Sequence, residues 1–340
     1  MIKSLAAIHT NKNKKLILDF IDIPDPDKDQ VIVRNISSAL CGSQLINLSR
    51  TPNSPELLGH EAVAKVVKLG KNVKNFKIDE EVYVSWVPSN SSKRTNYLEY
   101  SEVFWSNKSI KSVIFSWSEF SILHKQFIHK KNKKINSVHS SVLGCAGITG
   151  FGSVQKYKNF IKNKSICIIG LGGIGSFIVD ACNHFGASRI DVIEKNIKKK
   201  KNLNKFKIDN LISGSNNKLN SYDVVFDTVG NQNSLTQALN ISKNCIPGYD
   251  VGGKIILIGF PLKDNEFNFR NLLMQEKTII GCRGGNIKSK VFFEYIEDLI
   301  LAKKFHLKKF VSDIYNFKNI NKAINDLKTG KVSSKGVLIF

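Results

Sequence analysis

Two cysteines and one histidine are the residues most able to do chemistry. Cys41 lies in Ala39-Leu40-Cys41-Gly42-Ser43, His60 follows nineteen residues later in Leu57-Leu58-Gly59-His60-Glu61, and Cys145 stands in Leu143-Gly144-Cys145-Ala146-Gly147-Ile148-Thr149-Gly150. Two soft thiolates and one imidazole suit Zn²⁺ in tetrahedral geometry, with a fourth position left for water or substrate. Three protein ligands are the mark of a catalytic ion, whereas a structural site closes with four. The alternative for each cysteine is a small buried hydrophobe, and for His60 a core histidine. Cys167, inside an apolar run, and Cys182, at helical spacing, read as packing residues, and Cys245 and Cys282 carry no motif.

A second constellation begins after the apolar run Ser165-Ile166-Cys167-Ile168-Ile169. There Gly170-Leu171-Gly172-Gly173-Ile174-Gly175 opens a segment with helical apolar spacing. This is G-x-G-x-x-G between a strand and a helix. Gly170 allows the tight turn, Gly172 lets the backbone approach a pyrophosphate, and Gly175 lets helix and strand pack while the helix N-terminus presents free N–H groups to the anion. Gly173 and Ile174 complete the loop. Glu194, nineteen residues beyond Gly175 at the end of the next apolar run, is where an acid accepts ribose hydroxyls and repels a 2′-phosphate, so NAD is preferred over NADP. Lys195 beside it partly offsets that repulsion. The lysine-rich run 195–207 reads as the solvated face of a helix, with a phosphate-binding lysine as the alternative.

These groups must be held by a chain of 340 residues, 42% hydrophobic and 23% charged, which can bury a large core and reads as two domains. Residues 16–21, 30–37, 62–69 and 81–86 read as short strands separated by Pro, Asp, Asn and Gly clusters, which fits irregular β-structure of barrel type. From residue 165 short apolar runs alternate with helical segments, as in parallel βαβ units. Strands are expected at 165–170, 189–193, 223–227 and 254–259, and helices at 175–185 and 233–243. The last part reads as helices over 292–303 and 320–328 and a final strand over 336–340. Residues 89–112, rich in Ser, Asn and Lys, read as a long surface excursion.

Lys and Arg outnumber Asp and Glu by 51 to 28, a net charge of +23, which raises a polyanion-binding reading. Only six of those cations are arginines, the residue whose fork reads bases, and the lysines are scattered, so no specific nucleic-acid partner is expected. No run approaches the roughly 20 apolar residues of a membrane helix, and the first ten residues hold too short an apolar run for a signal peptide. The expectation is a cytoplasmic protein whose six cysteines are thiols, metal ligands or core residues.

The order and spacing of these motifs resemble the zinc-containing alcohol dehydrogenases of the medium-chain dehydrogenase/reductase superfamily. Phe226-Asp227-Thr228-Val229-Gly230, Gly252 to Gly259 and the closing segment from Gly330 extend the likeness over nearly the whole chain. The resemblance implies an α/β protein with two parts. One is a GroES-like β-rich catalytic domain, residues 1–146 and 286–340. The other is an inserted Rossmann domain with a doubly wound parallel sheet, residues 147–285. It implies Cys41, His60 and Cys145 as ligands of one catalytic zinc per chain, with Glu61 as a nearby carboxylate able to approach or replace the bound water. Ser43 would pass the alcohol proton toward solvent, Trp86 would narrow the substrate pocket, and Thr149 would join the loop in binding the cofactor. A capping role for Ser43 and a core role for Trp86 are the alternatives. The implied reaction is hydride transfer between an alcohol, or its aldehyde or ketone, and a nicotinamide, in a homodimer or homotetramer.

The chain departs from that family in three places. Gln44 stands where many members have an acid that orients the ligand histidine. Ile46 stands where some carry a relay histidine. No cysteine occurs between residues 42 and 144, so the four-cysteine lobe of a structural zinc is not expected and the chain reads as a one-zinc member. A polyol or sugar dehydrogenase, including one oxidising surface-polysaccharide precursors, is the alternative on substrate, and a basic binding protein on the same fold is the alternative in another class.

Overall fold

The computed structural model describes the chain except residues 13, 90–98, 197–203, 214–218 and 262. It divides into two compact units, Met1–Cys145 with Lys288–Phe340, and Ala146–Ile287. The divisions fall at 145/146 and 287/288, whereas the sequence reading put them at 146/147 and 285/286. A helix begins at Ala146, directly after Cys145. The turn Gly284–Asn286 stays with that helix through the Asn286 amide, which donates to the Tyr157 hydroxyl at 2.8 Å.

The strands of the first unit are β1 (Ile2–His9), β2 (Ile17–Ile23), β3 (Gln30–Ala39), β4 (Glu56–Leu57), β5 (Glu61–Leu69), β6 (Glu81–Ser85), β7 (Ser101–Trp105), β8 (Lys108–Ser112), β9 (Phe120–His124) and β10 (Ile128–Lys130). One sheet runs β4-β1-β2-β7-β8. The second unit contributes β11 (Ser165–Ile169), β12 (Arg189–Ile193), β13 (Asn210–Ile212), β14 (Val224–Asp227), β15 (Lys254–Leu257) and β16 (Thr278–Gly281). The chain then returns to the first unit with β17 (Val311–Asn316) and β18 (Lys335–Ile339), which complete a sheet ordered β10-β6-β5-β3-β18-β17, with β9 also on β3. The helices, in chain order, are α1 (Gly42–Leu48), α2 (Ser137–Ser140), α3 (Ala146–Lys156), α4 (Gly173–His184), α5 (Gln232–Ile241), α6 (Phe269–Met274), α7 (Ser289–Leu301) and α8 (Ile320–Lys328).

β3 and β5 carry β-branched and small residues, and Val31, Val33, Ala62, Ala64 and Val84 fill one side of their sheet. A second cluster joins Leu40, Leu48, Leu58 and Trp117 to Ile320, Ala323 and Leu338, so the apolar face of α8 packs beneath the strand ends that carry Cys41 and His60. At roughly 1.5–3 kcal/mol for each large apolar side chain buried, this cluster fixes those strand ends far more firmly than any single polar contact there.

The expected excursion over residues 89–112 needs correcting. Residues 90–98 lie outside the described part, but Ser101–Ser112 is a β-hairpin that extends the first sheet. Its two-residue turn has positive φ at Ser106 (48°) and Asn107 (61°), the pattern that matches strand twist. Val103 and Ile110 are buried in the core, and the Trp105 indole donates to Asp19 at 2.8 Å. The hairpin gives little apolar signal in sequence, because β8 contains one apolar residue, Ile110, and those of β7 are consecutive rather than alternating.

In the second unit the six strands are parallel, ordered β13-β12-β11-β14-β15-β16. Ile166, Cys167, Ile168, Val225 and Phe226 are fully buried, as strands covered on both faces must be. Among the described residues no helix is long and apolar enough to cross a membrane.

Candidate functional site

Cys41 sits where β3 gives way to α1, and His60 sits one residue before β5. Ser38 pairs with Ala62 across these strands, so sheet register alone brings the two ligand candidates near each other. Gly59 sets the angle of entry: its φ is +89°, and a Cβ there would stand 2.5 Å from Ser116 Oγ and 2.6 Å from Trp117 Cδ1. Cys145 is delivered by the turn after α2, where the buried Ser85 hydroxyl donates to the Gly144 carbonyl at 2.6 Å. The ligand atoms of Cys41, His60, Glu61 and Cys145 all lie within 4.8 Å of one another; Glu61 and Cys145 are buried, and Cys41 and His60 half-buried.

The sulfurs of Cys41 and Cys145 are 3.9 Å apart. Two thiolates bound tetrahedrally at a Zn–S distance of about 2.3 Å are separated by ~3.8 Å, so the donor chemistry and its spacing both fit zinc. The sulfurs share a hydrogen bond, which pulls the Cys41 thiol well below its ordinary range and pushes that of Cys145 well above. Burial opposes charge on His60, but the Cys41 sulfur at its side prevails and raises it. Such a mutually polarised set of groups is a place where a cation would relieve the electrostatics.

The surrounding polar contacts are specific. Ser43 Oγ donates to Cys41 Sγ at 3.2 Å. Ser43 lies inside α1 and the N-cap is Cys41, so the capping alternative for Ser43 does not hold. The buried Gln44 side chain has its Nε2 2.6 Å from His60 Nδ1, while its Oε1 accepts the Gly59 N–H at 3.1 Å. One residue escaped the sequence reading: Lys335, 4% exposed, whose Nζ donates to Glu61 Oε1. A lysine at the head of an apolar strand was the available signal. Burial raises the Glu61 carboxyl despite the opposing effect of Lys335; burial also works against charge on Lys335, where Glu61 prevails and raises it. Trp86, half-buried, follows the Ser85 that pairs with Glu61.

The other candidates gather in the second unit. Gly170 has φ +92°, and a Cβ on Gly175 would stand 2.1 Å from the Gly170 carbonyl oxygen, so loop and helix close on each other only without side chains. Gly172 is the N-cap of α4, without a side-chain cap or an acid in the first turn, which leaves the helix N-terminus to an anion. Gly173 and Ile174 form the first turn of α4. Glu194, buried at the end of β12, accepts the Leu171 N–H at 2.8 Å and the Asn196 N–H at 2.8 Å, so the acid is tied to the loop it serves. Lys195 is exposed, and lysines 198–201 of the basic run lie outside the described residues. The Thr149 hydroxyl, on α3, is buried without a hydrogen-bond partner, an orphaned group of the kind a bound ligand satisfies. The loop, the free helix end and this hydroxyl fit a dinucleotide. Cys167, Cys182 and Cys282 are buried, and burial pushes the Cys282 thiol up to about 12.

Two family models match the chain: an alcohol dehydrogenase GroES-like domain over residues 27–133 and a zinc-binding dehydrogenase domain over residues 173–301. Alcohol dehydrogenase-like 1 of Arabidopsis thaliana is 27% identical over 96% of this chain and 93% of its own. Among solved structures, benzyl alcohol dehydrogenase from Acinetobacter calcoaceticus superposes with a TM-score of 0.87 at 20% identity, covering 100% of both chains. Acetophenone reductase from Geotrichum candidum, solved in complex with NAD, superposes with a TM-score of 0.82 at 21% identity, covering 99% of this chain and 97% of that one.

Proposed function

Because the chain belongs to the zinc-type alcohol dehydrogenases of the medium-chain dehydrogenase/reductase superfamily, we propose that it exchanges a hydride between an alcohol and NAD, using Cys41, His60 and Cys145 to hold one zinc ion. The observation that carries this reading is the convergence of two sulfurs and an imidazole, far apart in sequence, within 4.8 Å. When bound, zinc acts as a Lewis acid on the substrate oxygen and the nicotinamide exchanges the hydride.

The chain's own residues do the rest. Ser43 Oγ, already beside the Cys41 sulfur, takes the proton of the alcohol and passes it outward. Gln44 fixes the plane of the His60 ring. Trp86 narrows the space offered to the substrate. The backbone of Gly170 to Gly175 receives the pyrophosphate with Gly173 and Ile174 at the helix end, Thr149 offers its hydroxyl to the cofactor, and Glu194 favours NAD by repelling a 2′-phosphate, with Lys195 as a partial offset. Unpaired thiols suit a reducing compartment, which supports a cytoplasmic location. A homodimer or homotetramer is supported by the outer edge of β16, unpaired among the described residues, and by exposed Phe269, Leu273 and Met274 just before it.

The test is to measure zinc per chain and to follow NAD and NADP reduction with primary, secondary and polyol alcohols. Zinc-dependent reduction of NAD is expected. A zinc-loaded preparation that reduces neither cofactor with any alcohol overturns the proposal.

A further inference from the structure

Ser289, Phe293 and Glu297 follow one another at intervals of four residues in α7, a spacing that sets all three on one face of the helix. Each meets β6 or the segment that leaves it. The Glu297 carboxylate accepts the Tyr83 hydroxyl at 2.9 Å and the Asn132 N–H at 2.8 Å. The Phe293 ring stacks on Tyr83 with centroids 4.6 Å apart, and the His129 ring tilts against it at 4.7 Å. Ser289, buried, donates from Oγ to the Pro88 carbonyl at 2.9 Å. His129 Nε2 lies 3.1 Å from the Val87 carbonyl, which can only accept, so the buried neutral ring gives its single N–H there. Two further bonds complete the hold, the Val87 N–H on Ser85 Oγ at 3.1 Å and the Ser89 N–H on the Gln126 carbonyl at 2.7 Å.

What is held in this way is the main chain just beyond Trp86. β5 and β6 are antiparallel and meet at the pair Glu61↔Ser85, so the next residues outward are His60 and Trp86. Trp86 thus leaves the sheet beside a metal-ligand candidate, and Ser85 before it is tied to Gly144, the neighbour of Cys145. We propose that His129 and Ser289 are positioning residues, which fix the carbonyls of Val87 and Pro88, hold Trp86 over the substrate position and so set how wide an alcohol is admitted; this rests on the pocket role given to Trp86 above. Neither side chain has to touch the substrate. Both carbonyls lie within two residues of Trp86, so a turn of either peptide plane is passed to an indole whose far edge moves further than its backbone. Near reacting groups a misplacement of about 1 Å is worth up to about 100-fold in rate.

The test incorporates fluorotryptophan into the purified full chain and reads fluorine NMR, with the three tryptophans assigned by replacing each in turn with Phe. Neither metal nor cofactor is needed for this reading. In His129→Leu/Ser289→Ala the Trp86 resonance should shift or broaden, while those of Trp105, bonded to Asp19, and of buried Trp117 stay in place. His129→Gln and Ser289→Thr, which keep a donor, should leave it as in wild type. The second reading is kcat/KM for benzyl alcohol over ethanol. That ratio should rise at least about fivefold in the double variant and stay within about twofold in the donor-keeping variants. With Trp86→Ala also present, the double change should no longer alter it. If the double variant does not fold, Ser289→Ala decides by the same two readings. An unmoved Trp86 resonance, or a moved one with an unchanged ratio, overturns the role given to His129 and Ser289. A ratio indifferent to Trp86→Ala overturns instead the pocket role of Trp86, and a wild-type chain that oxidises no alcohol overturns the dehydrogenase reading itself.

Discussion

Gln44 is placed between two donors and has one acceptor. Its Oε1 takes the Gly59 N–H at 3.1 Å, and its Nε2 stands 2.6 Å from His60 Nδ1. A neutral imidazole that offers Nε2 to a metal carries its proton on Nδ1 and must donate it. Whichever way the amide is turned, the Gly59 N–H or the Nδ1–H then faces an amino group, at a place where Gly59 is buried and His60 half-buried. A carboxylate at the same place has an oxygen for each. Gln44→Glu should therefore bind zinc more tightly than wild type. An unsatisfied buried donor costs about 1–3 kcal/mol, and altered partners of a metal-bound histidine change affinity about 10–100-fold, which is the same range. Gln44→Met, which satisfies neither donor, should weaken binding. The assay is competitive titration of zinc against a chelator of known affinity at constant pH, on variants shown to be folded by their near-ultraviolet circular dichroism. Equal or weaker zinc binding by folded Gln44→Glu would refute the reasoning.

Three further outcomes are expected. Gly59→Ala forces a Cβ to within 2.5–2.8 Å of Ser116 and Trp117 at φ +89°, so His60 shifts and zinc per purified chain should fall at least about tenfold; full zinc content at wild-type affinity would contradict this. His129, its ring tilted against Phe293 and its Nε2 donating to the Val87 carbonyl, is pushed by burial down to about 4. Its folded pKa lies below the unfolded value near 6.5, so the unfolded chain gains the proton first and stability is lost as pH falls from about 6.5 toward 4. Urea unfolding should show wild type losing about 2–3 kcal/mol more than His129→Gln between pH 7.5 and 4.5, and a constant difference would count against it. Glu194→Gln removes the charge that repels a 2′-phosphate and should shift the ratio of kcat/KM for NADP over NAD upward roughly tenfold, about 1.4 kcal/mol; an unchanged ratio would remove Glu194 from cofactor choice.

The three metal-ligand candidates were legible in sequence because soft donors in short glycine-flanked segments have few other uses together, and the parallel strands because they are continuous apolar runs. What escaped notice escaped for physical reasons. α3 contains Gly147, Gly150 and Gly152, which argue against a helix, yet Gly150 lets it approach α4, where a Cβ would stand 2.6 Å from the Ile174 carbonyl oxygen. The hairpin of β7 and β8 buries only three of its ten strand residues, Ser101, Val103 and Ile110. Lys335 reads as a surface cation in a chain with 45 lysines, and only tertiary burial against Glu61 distinguishes it. Periodicity does not report a long-range charge pair.

The lysine that faces Glu61 belongs to β18, and that strand lies directly beside the one leading to Cys41. During synthesis both thiols leave the ribosome long before residue 335 does. The nascent polypeptide thus has its soft donors exposed while the strand that completes their surroundings is still unmade. Loading with the correct ion is expected only after β18 has emerged and paired with β3.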